Sequence, residues 1–533
     1  MLPSTHVFKF GLLLFLTLSI GCRNKTEQNI PTVTKAKTNS SYSTPIFSDL
    51  NRAEKVQSAM PLVESVIRNF MDQEHLPGVA GGIVLDGKLI HSFYYGFNDL
   101  SSKTVVDSLS AFRIASMTKS FTAMAILKLR DEGKLSLDDS ASKYIPEMDS
   151  ISYLTSDAPA ITVRDLMTHR AGFPEDNPYG DRQLADTDEE LMNMVLEGPA
   201  FSNVPGISYE YSNLGFALLG KIVRNVTGIS CQQYITENIF KPLGMTHSYW
   251  EYKDVPSTHL ARGYRWINNN WKDEELLKDG SWAPMGGLIT TIEDFSKYMI
   301  FHLSAWPPRN GEEKGPIKRS SVREMQQPWS FSSVDAGYVF PSGKKCPTVT
   351  SYGYGLNVLN DCNQRTYIGH GGGLPGFGSH WRIMPQYGIG LVILSNRTYS
   401  PASRLTLPLL DTILAISRLG HYGFSSSAIL EQRKNELVKL FPGWENAASS
   451  PIFADNFFAD YPIETLKAES VGIFSKAGKI ITVKEVQATN QLRGYFNIIC
   501  ENALLKITFT LSPEHDPKIQ AYKMEVVPNS SSQ

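Results

Sequence analysis

The sequence predicts a mixed α/β chain of the α+β kind: an antiparallel sheet covered by helices, with a helical subdomain and a smaller C-terminal module. Three observations carry this expectation. Asp86-Gly87 separates two apolar runs, residues 79–85 and 88–95, and is a strong hairpin signal. Strand-like runs return after residue 350, beyond a long stretch with helical patterning. Past about Gly420 the composition changes, and an amphipathic helix precedes a further run of strands.

The elements follow in order. After Lys9 comes an apolar stretch, residues 10–20, that ends at Gly21-Cys22. It is too short for an ordinary membrane span and matches a secretory signal peptide. A small residue before cysteine also resembles a bacterial lipoprotein signal, in which Cys22 is lipidated and becomes the new N-terminus. Ser19 stands where leucine is usual in such signals, and the alternative is a plain secretory signal cleaved nearby. The expectation is an exported protein of the cell envelope, lipid-anchored to a membrane at Cys22 and facing the periplasm or the exterior. Residues 23–54 read as a polar tether. Residues 61–71 form a helix with Leu62, Val66, Ile67, Phe70 and Met71 on one stripe. The hairpin follows, then a mostly helical region over residues 116–241. Residues 352–359, 365–369 and 379–396 read as strands, closed by a helix at 401–417. The C-terminal module, residues 421–533, begins with a helix at 429–441 and a short segment at 456–460. Strands are expected near 480–486, 492–499, 504–511 and 521–527. This module looks somewhat like the cone-shaped cystatin or nuclear-transport-factor class, and it carries no catalytic constellation.

Length and composition bound the function. The chain has 533 residues, 42% of them hydrophobic, so two domains with sizeable cores are expected. A formal net charge of −2 gives no bulk attraction to nucleic acid. The histidines are scattered and no metal-ligand spacing or glycine-rich phosphate loop occurs, so neither cofactor nor metal is expected. Cys231 and Cys500 read as buried thiols. In an exported protein Cys346 and Cys362 are candidates for a bridge, although spacing does not fix connectivity.

The chemistry concentrates in three segments. Ser116-Met117-Thr118-Lys119 opens an apolar helical run and places a hydroxyl and an amine one turn apart on one face. A lysine desolvated there has its charged form disfavoured and can accept the serine proton. Tyr211-Ser212-Asn213 follows a Pro205-Gly206 turn and leads into an apolar helix, and the alternative role of Asn213 is simply to cap that helix. His370-Gly371-Gly372-Gly373 ends a strand in glycines, where backbone can approach a ligand.

In this order the segments resemble the motifs of the serine β-lactamase and penicillin-binding-protein superfamily. The class C β-lactamase branch, with its esterase and D-aminopeptidase relatives, is the nearest likeness. The resemblance spans residues 55–420, and Leu166-Met-Thr-His-Arg-Ala-Gly172 and Gly286-Gly287-Leu288 also look like landmarks of the family. It implies a five-stranded antiparallel sheet flanked by helices, with the active site in the cleft beside the helical subdomain. Loops 173–182 and 266–282 are candidates for its rim.

The resemblance further implies roles. Ser116 is the expected nucleophile, and Lys119 and Tyr211 share its proton, a nearby ammonium lowering the tyrosine. Asn213 orients Lys119 and contacts the substrate amide. His370, Gly372 and Gly373 line the substrate, with the Ser116 and Gly373 N–H groups as oxyanion hole. His169 reads as structural. Where the family has Lys-Thr-Gly, this chain has His370-Gly371-Gly372, which counts against a true β-lactamase because a cation for the substrate carboxylate is missing. The expected activity is a serine hydrolase acting through an acyl-enzyme on carboxylic esters or D-amino-acid amides and peptides. The alternatives are a β-lactamase and a non-catalytic envelope receptor that binds cell-wall peptides.

Overall fold

The computed structural model describes residues 42–528. The signal segment, Cys22 and most of the expected tether lie outside them. A nine-stranded antiparallel sheet organises the larger part of the described chain. Its order is Thr104–Val105, Lys88–Asp99, Gly78–Leu85, Ile389–Ser395, Phe377–Met384, Thr366–Leu374, Asn357–Asp361, Thr348–Tyr352 and Ser330–Asp335. The sheet is therefore larger than the five strands expected, because it continues at both edges.

Its centre is buried on both faces. In Gly78–Leu85 the side chains of Val79, Ile83 and Leu85 enter one core, and those of Ala80 and Val84 enter the other. Successive strand residues point to opposite faces, so a doubly covered strand reads as an unbroken apolar run. One core packs the sheet against helices Met60–Gln73 and Ser403–Ser417; the other packs it against Lys119–Asp131, Asn213–Thr227 and Ile292–Ser304. Helix Met60–Gln73 buries Met60, Val63 and Ile67, while Leu62 faces solvent, so its stripe is rotated from the one expected.

Turn chemistry sets the strand boundaries. Asp86 and Gly87 both take positive φ, 49° and 79°, as the two-residue hairpin turn requires. The expected strand 352–359 is two strands, since Gly353 to Leu356 makes a tight turn that pairs Tyr352 with Asn357. Likewise 379–396 is split by a turn ending at Gly388, φ 63°. Cys346 and Cys362 are joined by a disulfide just beyond the open end of the Thr348–Asp361 hairpin, and Cys231 and Cys500 are buried free thiols.

The described end of the expected tether is docked. Ile46 pairs with Gly423, and buried Arg52 is held by Asp49 at 2.7 Å, Asp86 at 2.8 Å and the Gly420 carbonyl at 3.0 Å. Residues after 427 have a core of their own, with Leu430, Leu437, Trp444 and Phe457 against Phe496, Ile498, Leu505 and Ile507. Strands Arg493–Cys500 and Leu504–Leu511 alternate buried and half-exposed residues, so one face of this smaller sheet is covered. Two elements here were not anticipated, helix Ile463–Ala477 and strand Gln487–Asn490.

Candidate active site

Ser116 sits on a clamped turn. The chain leaves strand Phe112–Arg113, makes a single 3₁₀ turn over Ala115–Thr118, and enters helix Lys119–Asp131. Ala115 takes φ 50°, a left-handed conformation that a side-chain-bearing residue adopts at a cost of roughly 1–2 kcal/mol. Neighbours enforce it. Ser379 Oγ donates to the Ile114 carbonyl at 2.8 Å, and Thr118 Oγ1 donates to the Ala115 carbonyl at 2.7 Å. Gly372 runs flush behind the turn: a Cβ there would lie 2.2 Å from the Ile114 carbonyl oxygen and 3.0 Å from Ala115 Cβ. Strain held in place by surrounding structure is characteristic of functional sites.

Lys119 lies fully buried beneath Ser116. Its Nζ contacts Ser116 Oγ at 2.9 Å, Asn213 Oδ1 at 2.6 Å and the Met285 carbonyl at 2.8 Å. The last two oxygens only accept, and the Asn213 orientation is set by its Nδ2 donating to Asn177 Oδ1 at 2.7 Å. A neutral amine therefore spends its two N–H bonds on Asn213 and Met285 and turns its lone pair to the Ser116 hydroxyl. Burial favours that neutral state: it lowers the Lys119 pKa from 10.5 to about 7, against the pull of Asp181 and Asp176.

Tyr211 presents its ring to the lysine, with Nζ 4.9 Å from the ring centroid. Burial pushes its phenol well above 10, and the hydrogen bond with Ser116 only partly offsets this. The expectation that an ammonium lowers Tyr211 is thus corrected: the phenol stays protonated because its surroundings are dry, leaving Lys119 as the group able to take a proton. His169, with φ 55°, accepts from the Ser212 N–H through Nδ1 at 3.1 Å and packs against Tyr211 with ring centroids 4.3 Å apart, so it holds the Tyr211 segment in place.

Asn213 is fully buried and faces Lys119 and Asn177; it is not among the residues lining the cavity above Ser116, where a substrate contact was expected. Nor is it the helix cap. Ser212 Oγ accepts from the Gly215 N–H, and the Asp176 carboxylate accepts from the Asn213 and Leu214 N–H groups at 2.6 and 2.9 Å.

His370 is a neutral histidine of fixed tautomer. Its Nδ1 meets the Gly371 carbonyl at 2.5 Å, which can only accept, so Nδ1 carries the proton and Nε2 accepts from the Tyr352 hydroxyl at 2.9 Å. Burial and the neighbouring Lys119 lower its pKa to about 3.

A cavity of about 330 Å³ joins these parts. Ser116, Tyr211, His370, Gly371, Gly372 and Gly373 line it together with Asn177, Asp181, Asn357 and Tyr399. Of the two loops expected at the rim, 173–182 contributes Asn177 and Asp181, whereas none of 266–282 reaches the cavity. Sequence reasoning missed Asp176, Asp181, Tyr352, Tyr399 and the Met285 carbonyl. Only the loop position of the first two was readable as a signal.

The comparisons with known proteins agree with this geometry. The family model described as Beta-lactamase matches residues 63–415, well over half of the chain. Protein flp of Staphylococcus aureus (strain COL) is 30% identical over 338 residues, covering 63% of this chain. The chain spans 62% of that relative's length. Among solved structures, the octameric penicillin-binding protein homologue from Pyrococcus abyssi superposes with a TM-score of 0.57 at 21% identity, over 88% of this chain and 96% of that one. The penicillin binding protein from Bacillus halodurans gives 0.50 at 23%, over 66% and 98%. At such identities the structural likeness is one of fold. Ser-x-x-Lys, Tyr-x-Asn and the glycine-ended strand meet at one cavity inside the matched span, and this chain belongs to the beta-lactamase family, with the fold of the serine β-lactamases and penicillin-binding proteins.

Proposed function

We propose that the protein is an exported serine hydrolase that forms an acyl-enzyme at Ser116 and hydrolyses carboxylic esters or D-amino-acid amides and peptides. One observation carries this: the buried Lys119 amine, with a pKa of about 7, meets two oxygens that only accept, Asn213 Oδ1 and the Met285 carbonyl, and also Ser116 Oγ at 2.9 Å. Such an amine is a general base in hydrogen-bond reach of its nucleophile.

In the first step Ser116 Oγ bonds to the substrate carbonyl carbon and its proton passes to Lys119. The carbonyl oxygen becomes an oxyanion between the N–H groups of Ser116 and Gly373, each donor worth roughly 3–4 kcal/mol in comparable hydrolases. The intermediate collapses as the bond to the leaving group breaks, and that group takes the proton from Lys119 through the Tyr211 hydroxyl. Water then adds to the acyl carbonyl and gives its proton to Lys119, and as the bond to Ser116 Oγ breaks and the acid leaves, Lys119 returns that proton to Oγ. Tyr211 relays protons as a neutral phenol throughout.

Neutral His370 supplies no cation for the carboxylate of a β-lactam, so hydrolysis of penicillins is not the expected activity. The sequence of residues 1–22 supports export and a lipid anchor at Cys22, which intact mass of the membrane-extracted protein and of its Cys22→Ser variant would test. For the hydrolase, the decisive comparison sets the protein beside Ser116→Ala on a short activated acyl ester, read by turnover and intact mass. Turnover or an acyl adduct lost in the variant supports the reading. Identical behaviour of the two proteins refutes it and favours a binding role for the cleft.

A further inference from the structure

Among the described residues Asp181 is the one carboxylate lining the cavity above Ser116, and half of it is unused. Its residue is 1% exposed. Oδ2 accepts from the Tyr399 hydroxyl at 3.0 Å, whereas Oδ1 is buried without a hydrogen-bond partner among the described residues. No lysine or arginine of the described residues makes an ion pair with it. Its neighbour Asp176 differs in this respect, because both of its oxygens are taken by the N-terminus of helix Asn213–Thr227. A buried carboxylate oxygen left unpaired is costly, and such groups are normally satisfied by a partner. Burial raises Asp181 to about 6, which leaves it charged at neutral pH.

The carboxylate is also held in position. Tyr399 takes φ 50°, a conformation that a bulky residue rarely adopts, so its placement is enforced by the fold. Its ring lies against the Gly373 backbone, where a Cβ would sit 2.9 Å from Tyr399 Cδ1, while its hydroxyl holds Asp181. One phenol ring therefore separates the carboxylate from the N–H expected to receive the oxyanion. The substrate cation that stands nearest to a carbonyl held there is an ammonium on the adjacent carbon. No lysine or arginine of the described residues lines the cavity to compete with it.

We propose that Asp181 Oδ1 is a cation subsite, and that the acyl half of the substrate is an α-aminoacyl group whose protonated amine it binds. The substrate half of this statement rests on the hydrolase reading; the subsite itself does not.

The test is equilibrium binding to the Ser116→Ala protein, which cannot be acylated, by calorimetry at neutral pH. The probes are alanyl-alaninamide, in both configurations of its first residue, and isobutyryl-alaninamide, in which a methyl group replaces the ammonium. A charge-assisted bond to a buried carboxylate predicts that one alanyl peptide binds roughly tenfold or more tighter than the isobutyryl one. In Ser116→Ala/Asp181→Asn, checked for an unchanged melting temperature, the preference should vanish. Equal affinities in the first protein, no detectable binding of either probe, or a preference that survives the loss of Asp181 each overturn the subsite. The first comparison needs no change at Asp181, so it decides even if the double variant is unstable. A cation preference in a protein whose Ser116 no ester acylates would keep the subsite and refute the hydrolase reading.

Discussion

Replacing Lys119 by methionine tests the electrostatics of the site through stability. The side chain keeps its length but cannot ionise. In the folded protein the lysine titrates at about 7 instead of 10.5, so folding at pH 7 is opposed by about 5 kcal/mol from this group. The sign follows from proton counting. Below pH 7 the lysine is charged in both states, and the penalty is complete and constant. Between 7 and 10.5 the unfolded chain binds more protons than the folded one, so stability rises with pH. Above 10.5 both states are neutral and the penalty is gone. The methionine variant lacks this dependence, although it leaves Asn213 Oδ1 and the Met285 carbonyl without their donor, at roughly 1–3 kcal/mol each. That cost does not vary with pH. Between pH 7 and pH 10 the stability of the lysine protein relative to Lys119→Met should therefore climb by about 1.4 kcal/mol per pH unit, while below pH 7 the difference also follows Asp181 and Asp176, whose protonation Lys119 opposes. Urea unfolding followed by tryptophan fluorescence at a series of pH values measures both proteins. A difference that stays level from about pH 7 to about pH 10 would show that the lysine keeps an ordinary pKa, and the assignment of Lys119 as base would fall with it.

The remaining predictions concern rate and packing. Acylation by an uncharged ester should fall about tenfold per pH unit below pH 7, because only neutral Lys119 accepts the proton; a flat profile by stopped-flow would remove it as base. Tyr211→Phe should slow acylation by roughly 10²-fold while leaving that acid limb in place. A limb displaced by more than about one pH unit would mean that the phenol is the titrating base. Gly372→Ala should destabilise the fold by roughly 1–3 kcal/mol and abolish acylation, since its Cβ would meet the Ile114 carbonyl at 2.2 Å. Gly371→Ala, whose Cβ would meet only the edge of the His380 ring at 3.1 Å, should be better tolerated, and melting temperatures of the two variants order them.

The parts of the molecule that were legible in the sequence are those encoded locally. Ser116 and Lys119 are three residues apart, and a helical turn of either kind brings them together. Asp86-Gly87 announces its hairpin because few residues accept two successive positive φ angles. The turns at Gly353–Leu356 and Gly388 carried the same kind of signal, but apolar runs on either side masked it and fused neighbouring strands. What was not legible depends on distant pairing. The Met285 carbonyl reaches Lys119 across 166 residues, and a backbone oxygen leaves no mark in a sequence. Asp181 meets Tyr399 across 218 residues, and an aspartate in a loop looks solvated until the fold buries it. The Tyr211 phenol was misjudged for the same reason. A neighbouring ammonium was inferred from the motif, whereas the desolvation that outweighs it comes from the packing of His169, Phe216 and Tyr352 around the site.

Two features of the cleft act in one direction. Where the family has a lysine at the third motif this chain has His370, which burial and the neighbouring Lys119 keep neutral, with its ring nitrogens engaged by Gly371 and Tyr352. In the same cavity Asp181 adds a carboxylate. The cleft thus loses a cation and presents an anion, and a substrate carboxylate there would face repulsion rather than a partner. Beneath the cleft lies Lys119, whose charged form Asp181 and Asp176 support. An ammonium bound at Asp181 would take over that support and repel a charged Lys119, so it would favour the neutral lysine that the reaction needs. By reciprocity the neutral lysine would favour the bound ammonium. Recognition of the substrate's charge and preparation of the base are then one coupled equilibrium, an arrangement that a cation at position 370 would oppose.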